Sequence, residues 1–411
     1  MTHPSEPKDP RDQAPPLLPA ALIENDAQAL HAAHEVARQA RAGAAQRDRD
    51  RQLPWPEVEL FTRLGLGGIR IPRAYGGAEV SHVTLAEVFR ILCAADPALG
   101  QIPQNQFGLL SVIENVGSEA QKRQVFAGIL AGRRLANAGP ERNTKHTLEI
   151  KARITRGDAG LELSGEKFYS TGALFAHWVA VKALDDSGTG VLALVERGVP
   201  GLAIVDDWSG FGQRTTASGT VLLDRVPVAD DLVFHNSRLA EVPSIQGALS
   251  QLIQAAIDAG IAEAAIDDAI AFIRERSRPW VDAGVERASE ELYTIAEIGR
   301  LKTELNAANA LLERAGQVLD EVAAAPIDAA AAARASIAVA EAKVLTTEIS
   351  LLASEKLFEL AGSRATLAEF GLDRHWRNAR VHTLHDPVRW KVHAVGNYHL
   401  NGAFPARHSW I

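Results

Sequence analysis

The sequence predicts an α+β protein in which a helical domain, a β domain and a second helical domain follow one another. Three successive apolar patterns predict this order. Apolar residues recur every three or four positions before about residue 132, alternate with polar residues in the middle of the chain, and return to helical spacing after Pro243. We therefore expect an N-terminal helical domain over residues 21–132, a middle antiparallel β domain over 133–240, and a C-terminal four-helix-bundle domain with a tail over 241–411.

Length and composition limit the kind of protein. A chain of 411 residues is too long for one core, so several domains are expected. Its net charge of -8 argues against nucleic acid as a partner and favours a cytoplasmic protein. The single cysteine, Cys93, excludes an intrachain disulfide and a multi-cysteine metal site. Residues 1–20 are rich in proline and charge and lack the apolar segment of a secretory signal, so a disordered arm is expected. No apolar run of about 18 residues predicts a membrane span.

The N-terminal domain carries local signals for the starts and ends of helices. One apolar stripe at helical spacing consists of Leu85, Val88, Phe89 and Leu92. Asp96 followed by Pro97 predicts the start of the next helix, because aspartate caps a helix and proline fits its first turn. Gly117 predicts the end of that helix. Ser118 and Gln121 have the spacing of a capping box, which predicts a further helix directly after Ser118.

The middle domain is predicted from short alternating segments that glycine and aspartate separate. Apolar and polar residues alternate around Ile154 and again around Leu163. Further strand candidates cover residues 178–181, 191–195 and 220–223. This spacing is typical of a small sandwich or barrel.

Three long helices are predicted for the C-terminal domain. Their apolar stripes are Ile253, Ile257 and Ile261; Leu301, Leu305, Ala308 and Leu312; and Ile337, Val344, Leu351 and Phe358. Pro326 is expected to end the second of these helices, and Asp328 to cap the third. We expect the stripes to form the core of the bundle.

Histidines and arginines cluster near the C-terminus. Six of the 13 histidines lie from His375 onward. His382 and His385 are one helical turn apart, and imidazoles titrate near neutral pH, so they are useful where protons move. Arginines repeat at the same spacing at Arg374, Arg377 and Arg380. A row of guanidinium groups suits an anionic cofactor or substrate.

Two classes of site are not expected. His382, His385 and Asp386 have a spacing that a metal site would allow, but no other ligand cluster is visible, and no metal is expected. The chain also lacks a phosphate-binding loop and a strand–GxGxxG–helix unit, so it has no evident site for a nicotinamide dinucleotide.

Four segments carry a family resemblance. Residues 66–77, which read LGGIRIPRAYGG, resemble a segment of the acyl-CoA dehydrogenase superfamily, and the domain order resembles that superfamily over nearly the whole chain. Residues 167–172, 207–220 and 372–387 are similar to its reduced-flavin-dependent monooxygenases. That subgroup includes dibenzothiophene and alkanesulfinate monooxygenases and oxidoreductases linked to dimethyl sulfone use. The resemblance implies an acyl-CoA dehydrogenase-like fold.

One segment departs from the dehydrogenases. Many of them carry a catalytic glutamate in a Y-E-G turn, whereas the matching residues here are His385, Asp386 and Pro387. Aspartate has a shorter reach than glutamate, and the following proline stiffens the backbone. The dehydrogenase interpretation is therefore weaker, with Asp386 as the acidic group that would serve it.

The resemblance implies a cofactor and partners. The cofactor would be FMN, delivered as FMNH2 by a separate NAD(P)H:FMN reductase, with FAD as the alternative. The flavin would lie between the β domain and the C-terminal helices of a homotetramer. The substrates would be O2 and a small organosulfur compound, as in sulfur metabolism.

The resemblance also implies the site residues. His385 is the candidate for the proton role, with a hydrogen-bonded structural histidine as the alternative. His382 is a weaker candidate, which would instead orient the flavin or the substrate. Asn137, Ser170 and Trp208 would contact the flavin, with Ser170 near flavin N5. Ordinary turn chemistry is the alternative for Ser170, and packing in the β domain for Trp208. Arg276 and Arg278 would grip the flavin phosphate, often from a neighbouring subunit, unless they compensate a helix end. Arg364 would lie where the chain again approaches the cofactor.

The substrate side is assigned to Gln101 and Asn105, four apart on a predicted helix. They match positions that face the substrate, and amides in place of aromatic rings suggest a polar sulfinate, sulfone or sulfoxide. Exposure to solvent is the alternative for both. The expected function is a two-component FMNH2-dependent monooxygenase of sulfur assimilation. The alternatives are an FAD-dependent acyl-CoA dehydrogenase and a non-catalytic flavin-binding homologue.

Overall fold

The computed structural model describes residues 14–411 except 147, 159 and 409. The helices are α1 (Asp26–Arg41), α2 (Ala44–Asp50), α3 (Trp55–Arg63), α4 (His82–Ala95), α5 (Pro97–Gln101), α6 (Gln104–Val116), α7 (Glu119–Leu130), α8 (Gln246–Glu275), α9 (Leu292–Ala323), α10 (Ala329–Ala361), α11 (Asp373–His382) and α12 (Arg389–Asn401). The strands are β1 (Leu135–Ala138), β2 (Arg153–Gly157), β3 (Gly160–Lys167), β4 (Trp178–Leu184), β5 (Gly190–Glu196), β6 (Leu202–Ile204), β7 (Val221–Val228) and β8 (Val233–Phe234). The predicted order of a helical, a β and a helical region is confirmed.

The local helix signals of the N-terminal domain are confirmed. The Asp96 carboxylate accepts hydrogen bonds from the backbone N–H groups of Ala98 and Leu99. Ser118 and Gln121 form a reciprocal capping box at the start of α7. One expectation was wrong: the helix that begins after Asp96 does not continue to Gly117. It ends at Gln101, and α6 begins after Pro103, because proline has no N–H to donate within a continuous helix.

The middle domain is a mixed sheet with the strand order β6-β7-β3-β2-β4-β5-β8, and β1 pairs with β4. Most pairs are antiparallel, as expected, but the sheet is mixed. Arg153 of β2 pairs with Leu184 of β4 in a parallel register, and β1 also runs parallel to β4, with Asn137 opposite Ala180. Some 40 residues separate the two strands, and this length permits the crossover that parallel pairing requires.

The C-terminal helical region consists of three long helices, α8, α9 and α10, with the shorter α11 and α12. Asp328 caps α10 as predicted, through a hydrogen bond from the backbone N–H of Ala331. The apolar stripes of α8 and α9 are buried as predicted. The stripe of α10 was wrong in part, because three of its residues are only half-buried. Beside its buried apolar residues, α10 also buries five polar side chains: Lys343, Thr346, Thr347, Ser350 and Ser354.

Both ends of the described chain contact the body of the protein. Residues 14–20, the described part of the predicted arm, have neither helix nor strand. The His177 Nε2–H faces the Pro16 carbonyl oxygen at 3.4 Å. At the other end, the Arg407 guanidinium donates to the Ala240 carbonyl, and Lys391 Nζ donates to the Trp410 carbonyl. Residues 1–13 lie outside the described part. In the described part, none of the helices has the length and apolar character of a membrane span.

Candidate active site

Two loops of the β domain meet α11 and form one wall of the candidate site. The backbone N–H of Gln213 donates to the Asn378 side-chain oxygen at 2.7 Å. Three hydroxyl groups brace the two loops: Thr216 Oγ1 and Ser218 Oγ are 2.7 Å apart, and so are Ser218 Oγ and Thr171 Oγ1. These contacts place the Ser170 loop beside the Gln213 loop.

The opposite wall comes from α5, α6 and α8. Gly100 and Gly260 both lie against Cys93, and Gly108 lies against Ser250. Residues 100–108 therefore run antiparallel to residues 250–260. This arrangement brings Gln101 and Gln104 to the level of Gln254 and Asp258 on α8.

Several buried polar atoms in this region have no hydrogen-bond partner among the described residues. We call the group the interdomain site, and its atoms are Gln101 Oε1, Gln104 Oε1, Ser170 Oγ, both amide atoms of Gln213, Gln254 Oε1 and His382 Nε2. Leaving a buried polar atom unsatisfied costs about 1–3 kcal/mol. Native proteins therefore rarely do so, and a group from five separate segments indicates a place where a ligand supplies the partners.

His382 is buried at the end of α11, where it faces α8. Its Nδ1 is 2.5 Å from Asp258 Oδ1, and the other Asp258 oxygen accepts hydrogen bonds from Lys343 Nζ at 2.6 Å and from the Thr347 hydroxyl at 2.9 Å. Burial lowers the pKa of His382, and the nearby Asp258 carboxylate offsets this only in part. The ring is therefore neutral at neutral pH.

His385 lies just after α11, closer to solvent than His382, and its side chain is 35 % exposed. Its Nε2 is 3.5 Å from Gln254 Nε2, and its Nδ1 is 3.5 Å from Asp386 Oδ1. The ring can thus contact both the interdomain site and water. This position suits a group that exchanges a proton with solvent.

Asp386 is buried and paired with Lys391 Nζ at 3.1 Å. Burial alone would raise the pKa of its carboxyl. The nearby His385 ring and the charges of Lys343 and Lys391 outweigh burial and hold the pKa of this carboxyl below its ordinary value. Such a carboxylate is a weak base, so the structure gives the dehydrogenase role of Asp386 little support.

No metal centre is found among the described residues, where no three His, Cys, Asp or Glu side chains converge.

The three residues predicted to contact the flavin ring lie on adjoining segments. Ser170 is buried at the loop after β3. Trp208 Nε1 donates to the Gln213 carbonyl at 2.9 Å, and its ring packs against Phe168. Asn137 is half-buried on β1, in the parallel pair with β4. Ser170 and Trp208 therefore lie on the two loops that form the first wall, whereas Asn137 lies on a strand.

The arginines predicted to bind the cofactor lie away from the interdomain site. Arg276 and Arg364 are exposed and stand 5.2 and 5.8 Å from the centre of the Phe370 ring. Arg276 follows Asp258 by 18 residues, or about 27 Å of helix, and Arg278 is also exposed beyond the end of α8. Within one chain, these arginines do not join the interdomain site.

The predicted row of free guanidinium groups was wrong for two of its three members. Arg374 pairs with Asp268 at 2.6 Å, and Arg377 pairs with Asp48 and Asp373. These carboxylates neutralise the charge that an anionic cofactor would need.

The substrate residues are only partly as expected. Gln101 is buried with an unpartnered oxygen, but Asn105 is half-buried, and Gln104 holds the second unpartnered amide. The two predicted residues do not share a helix, because the helix is interrupted at Pro103: Gln101 ends α5, and Asn105 lies in α6. The sequence interpretation also missed Gln213, Gln254 and Asp258. Of these three residues, only Gln213 had a signal in the sequence, because it lies in segment 207–220, which resembles the reduced-flavin-dependent monooxygenases.

Two small cavities, of about 20 and 30 Å³, lie between the N-terminal and β domains, and Arg134 lines both. Volumes of this size hold one or two waters and not a cofactor. None of the residues that line these two cavities belongs to the group of polar side chains described above.

Comparison with known proteins gives a consistent match. Residues 24–133 match the family model for the acyl-CoA dehydrogenase N-terminal domain, and residues 252–390 match that for the acyl-CoA dehydrogenase C-terminal domain. A dibenzothiophene monooxygenase of Rhodococcus erythropolis is 33% identical over 95% of this chain and 96% of its own length. A probable FMNH2-dependent monooxygenase, SfnC, of Pseudomonas putida is 30% identical over 92% of this chain and 96% of its own.

A solved structure agrees with these relatives. FMN-bound TdsC from Paenibacillus sp. A11-2 superposes with a TM-score of 0.88 and 30% sequence identity, and covers 93% of this chain and 100% of its own.

Proposed function

The chain belongs to the acyl-CoA dehydrogenase family, and we propose that it is a two-component FMNH2-dependent monooxygenase that adds oxygen to a small organosulfur compound. The observation that carries the proposal is the group of unpartnered buried amide, hydroxyl and imidazole atoms between the β domain and the C-terminal helices. The FMN-bound and FMNH2-dependent relatives match nearly the whole chain.

The residues of the interdomain site fit a flavin ring. The edge of the ring presents both N–H donors and carbonyl acceptors, and glutamine amides can serve both. Gln213 offers a buried donor and a buried acceptor, and Ser170 offers a hydroxyl group. We propose that these two residues, with Trp208 and Asn137, hold the ring. In the assembled protein, Arg276, Arg278 and Arg364 of a neighbouring subunit would hold the phosphate.

When bound in its reduced form, FMN supplies two electrons that activate O2, so that one oxygen atom goes to sulfur and the other leaves as water. The chain provides the surroundings. Its packed loops and helices keep bulk water from Ser170, Gln213 and His382, all of which are buried. His385 reaches both this region and solvent, and we propose that its ring moves the proton that the reaction requires.

The substrate class follows from the polar wall of α5, α6 and α8. The Gln101, Gln104 and Gln254 side chains each leave an amide oxygen unpartnered within this buried wall. An amide can turn over, so that its NH2 group faces the site and donates to an oxygen of a sulfinate, sulfone or sulfoxide, whereas a purely aromatic substrate would leave the buried amides unsatisfied. We therefore propose a small oxygenated sulfur compound.

The proposed partners are O2, an NAD(P)H-dependent FMN reductase and further copies of the chain in a homotetramer. Because FMNH2 reacts with O2 in water, the reductase would have to share its compartment, and we propose the cytoplasm. Exposed apolar side chains next to Arg278, including Trp280 and Val281, would be covered in the tetramer.

The test is a product-resolved assay. The purified chain, a flavin reductase, FMN and NADH are incubated with isotopically labelled O2 and a set of small sulfinates, sulfones, sulfoxides and sulfonates. We expect a product that contains one labelled oxygen atom and depends on the reductase. Bleaching of oxidised bound flavin by an acyl-CoA without O2 would favour the dehydrogenase instead. Reductase-dependent O2 uptake with no oxygenated product would indicate a non-catalytic flavin-binding protein.

A further inference from the structure

The C-terminal helices bury a carboxylate for which the proposed reaction has so far assigned no role. Asp258 on α8, Lys343 on α10 and His382 on α11 have almost no exposed surface. Both Asp258 oxygens are committed, one to His382 and the other to Lys343 and Thr347. A buried ion pair is weak support for stability, because desolvation offsets its attraction. This group therefore needs another explanation.

The geometry fixes the tautomer of His382. An ionised carboxylate only accepts hydrogen bonds, so His382 Nδ1 must carry the hydrogen that faces Asp258. The Lys343 and His382 neighbours hold the pKa of Asp258 below its ordinary value despite its burial, so this carboxylate stays ionised. His382 Nε2 is then left with its lone pair. That atom is buried and without a partner among the described residues.

A second histidine, His375, also joins α11 to α8, so α11 and α8 have a link that does not involve Asp258 and His382. His375 Nε2 bonds to Asp268 Oδ2 at 2.7 Å and also links α11 to α8. Asp268 lies about 15 Å further along α8 and shares its carboxylate with Arg374. The His375 pair therefore serves as an internal comparison for the His382 pair.

We propose that Asp258 is a positioning residue: it holds His382 as the Nδ1–H tautomer, so that Nε2 accepts a hydrogen bond from the molecule bound in the interdomain site. The inference rests on the proposed oxygenation and deepens it. The charged and titratable groups that act on this ring are Asp258, Lys343 and His385, and the ion pair of Asp386 with Lys391 lies beyond His385. Of the two histidines, His382 is set as the acceptor and His385 connects to solvent.

The test is Asp258→Asn. The asparagine oxygen stays with Lys343 and Thr347, and its NH2 group then faces His382 Nδ1, which must accept. The hydrogen moves to Nε2, and the lone pair that faces the bound molecule is lost. We expect kcat for oxygenation to fall at least about tenfold, while KM and the FMN dissociation constant change less than about threefold.

Nitrogen-15 NMR of the FMN-free protein gives a readout that does not depend on turnover. With His382→Gln used to assign the signal, Nε2 should be the unprotonated nitrogen in the wild type and the protonated one in Asp258→Asn. If the single variant does not fold, Asp258→Asn with Lys343→Met removes both charges and has the same expected loss. Asp268→Asn is the control, and its turnover should stay within about twofold of the wild type.

Two results would overturn the proposal: an unchanged His382 tautomer in Asp258→Asn, or an oxygenation kcat within about twofold of the wild type. A loss of turnover equal to that of Asp268→Asn would also overturn it, because both would then reflect only the joining of helices. A wild type that forms no oxygenated product would contradict the proposed function, whereas the NMR result would still decide the tautomer.

Discussion

A side chain on Gly212 would overlap the backbone carbonyl oxygen of Arg377. The β-domain loop and α11 approach this closely because residue 212 has no Cβ atom, and the approach lets Asn378 accept the hydrogen bond from the Gln213 backbone. The position of the Gln213 amide in the interdomain site therefore depends on a glycine one residue before it.

Gly212→Ala should accordingly separate the loop from α11. The neighbouring atoms belong to the backbone and cannot turn aside, so we expect a loss of about 1–3 kcal/mol in the free energy of unfolding and weaker FMN binding. Thermal unfolding and FMN titration measure the two effects. Gly299→Ala is the control, because its Cβ would meet nothing within 4 Å on an exposed turn of α9. It should stabilise the protein by about 0.5–1 kcal/mol. Equal melting temperatures for the two variants would contradict the explanation.

His385→Ala should leave the flavin site in place and remove the proton path to solvent. We expect FMN binding within about threefold of the wild type and product formation reduced at least about tenfold. The labelled-oxygen assay and FMN titration measure these quantities. His393→Ala changes an exposed histidine on α12 that packs against Trp390 and should have little effect. Unchanged turnover in His385→Ala would remove this residue from the mechanism.

Substitutions can distinguish whether Gln104 or Asn105 contributes to substrate binding. Gln104→Leu removes a buried amide from the wall that we assign to the substrate, so KM for a small sulfone or sulfinate should rise about tenfold, as expected for one lost hydrogen bond. Asn105→Ala, at a half-buried position, should change KM less than about threefold. Steady-state kinetics with saturating FMNH2 supply decides between them. The opposite ranking would restore Asn105 as the substrate residue.

His177 should make the protein sensitive to acid. Burial, and then the charge of Arg134, lower the pKa of His177 from 6.5 to about 4. The unfolded chain therefore binds an additional proton between these values, and stability that is present above pH 6.5 is lost as the pH falls towards 4. His177→Asn keeps an acceptor for the Arg134 backbone N–H but cannot titrate.

The measurement is the melting temperature between about pH 7.5 and about pH 5, a window that spans the ordinary histidine pKa. The fall should be smaller in His177→Asn than in the wild type by about 2 °C or more. His31→Asn, at an exposed position, should follow the wild type. Parallel curves for all three proteins would show that His177 does not contribute.

Local interactions made much of the fold predictable. The caps at Asp96, Ser118 and Asp328 act within three residues of their partners, so the sequence reveals them directly. The stripes of α8 and α9 were predictable for the same reason, since a helix sets which residues share a face. The resemblance of the chain to flavin-dependent monooxygenases also rested on short segments, and the comparisons agree with it.

The structure differs from the expectations where distant segments decide the outcome. The parallel pairing of β1 with β4 depends on a crossover of some 40 residues. Arg374 and Arg377 were expected to be free for an anion, but Asp268 and Asp48 from other helices neutralise them. The buried face of α10 was expected to be apolar, but Lys343 lies among its apolar residues, because Asp258 of α8 pairs with the ammonium group.

By itself, the sequence determined the order of the three domains, the ends of several helices and the kind of cofactor chemistry, because each depends on neighbouring residues or on short motifs. Only the tertiary structure decided which polar side chains converge. Gln104, Gln213, Gln254 and Asp258 lie far apart in the chain, and none has a local signature of function. They become a site because packing of α6, α8 and the β-domain loops buries their polar atoms together, where water cannot satisfy them.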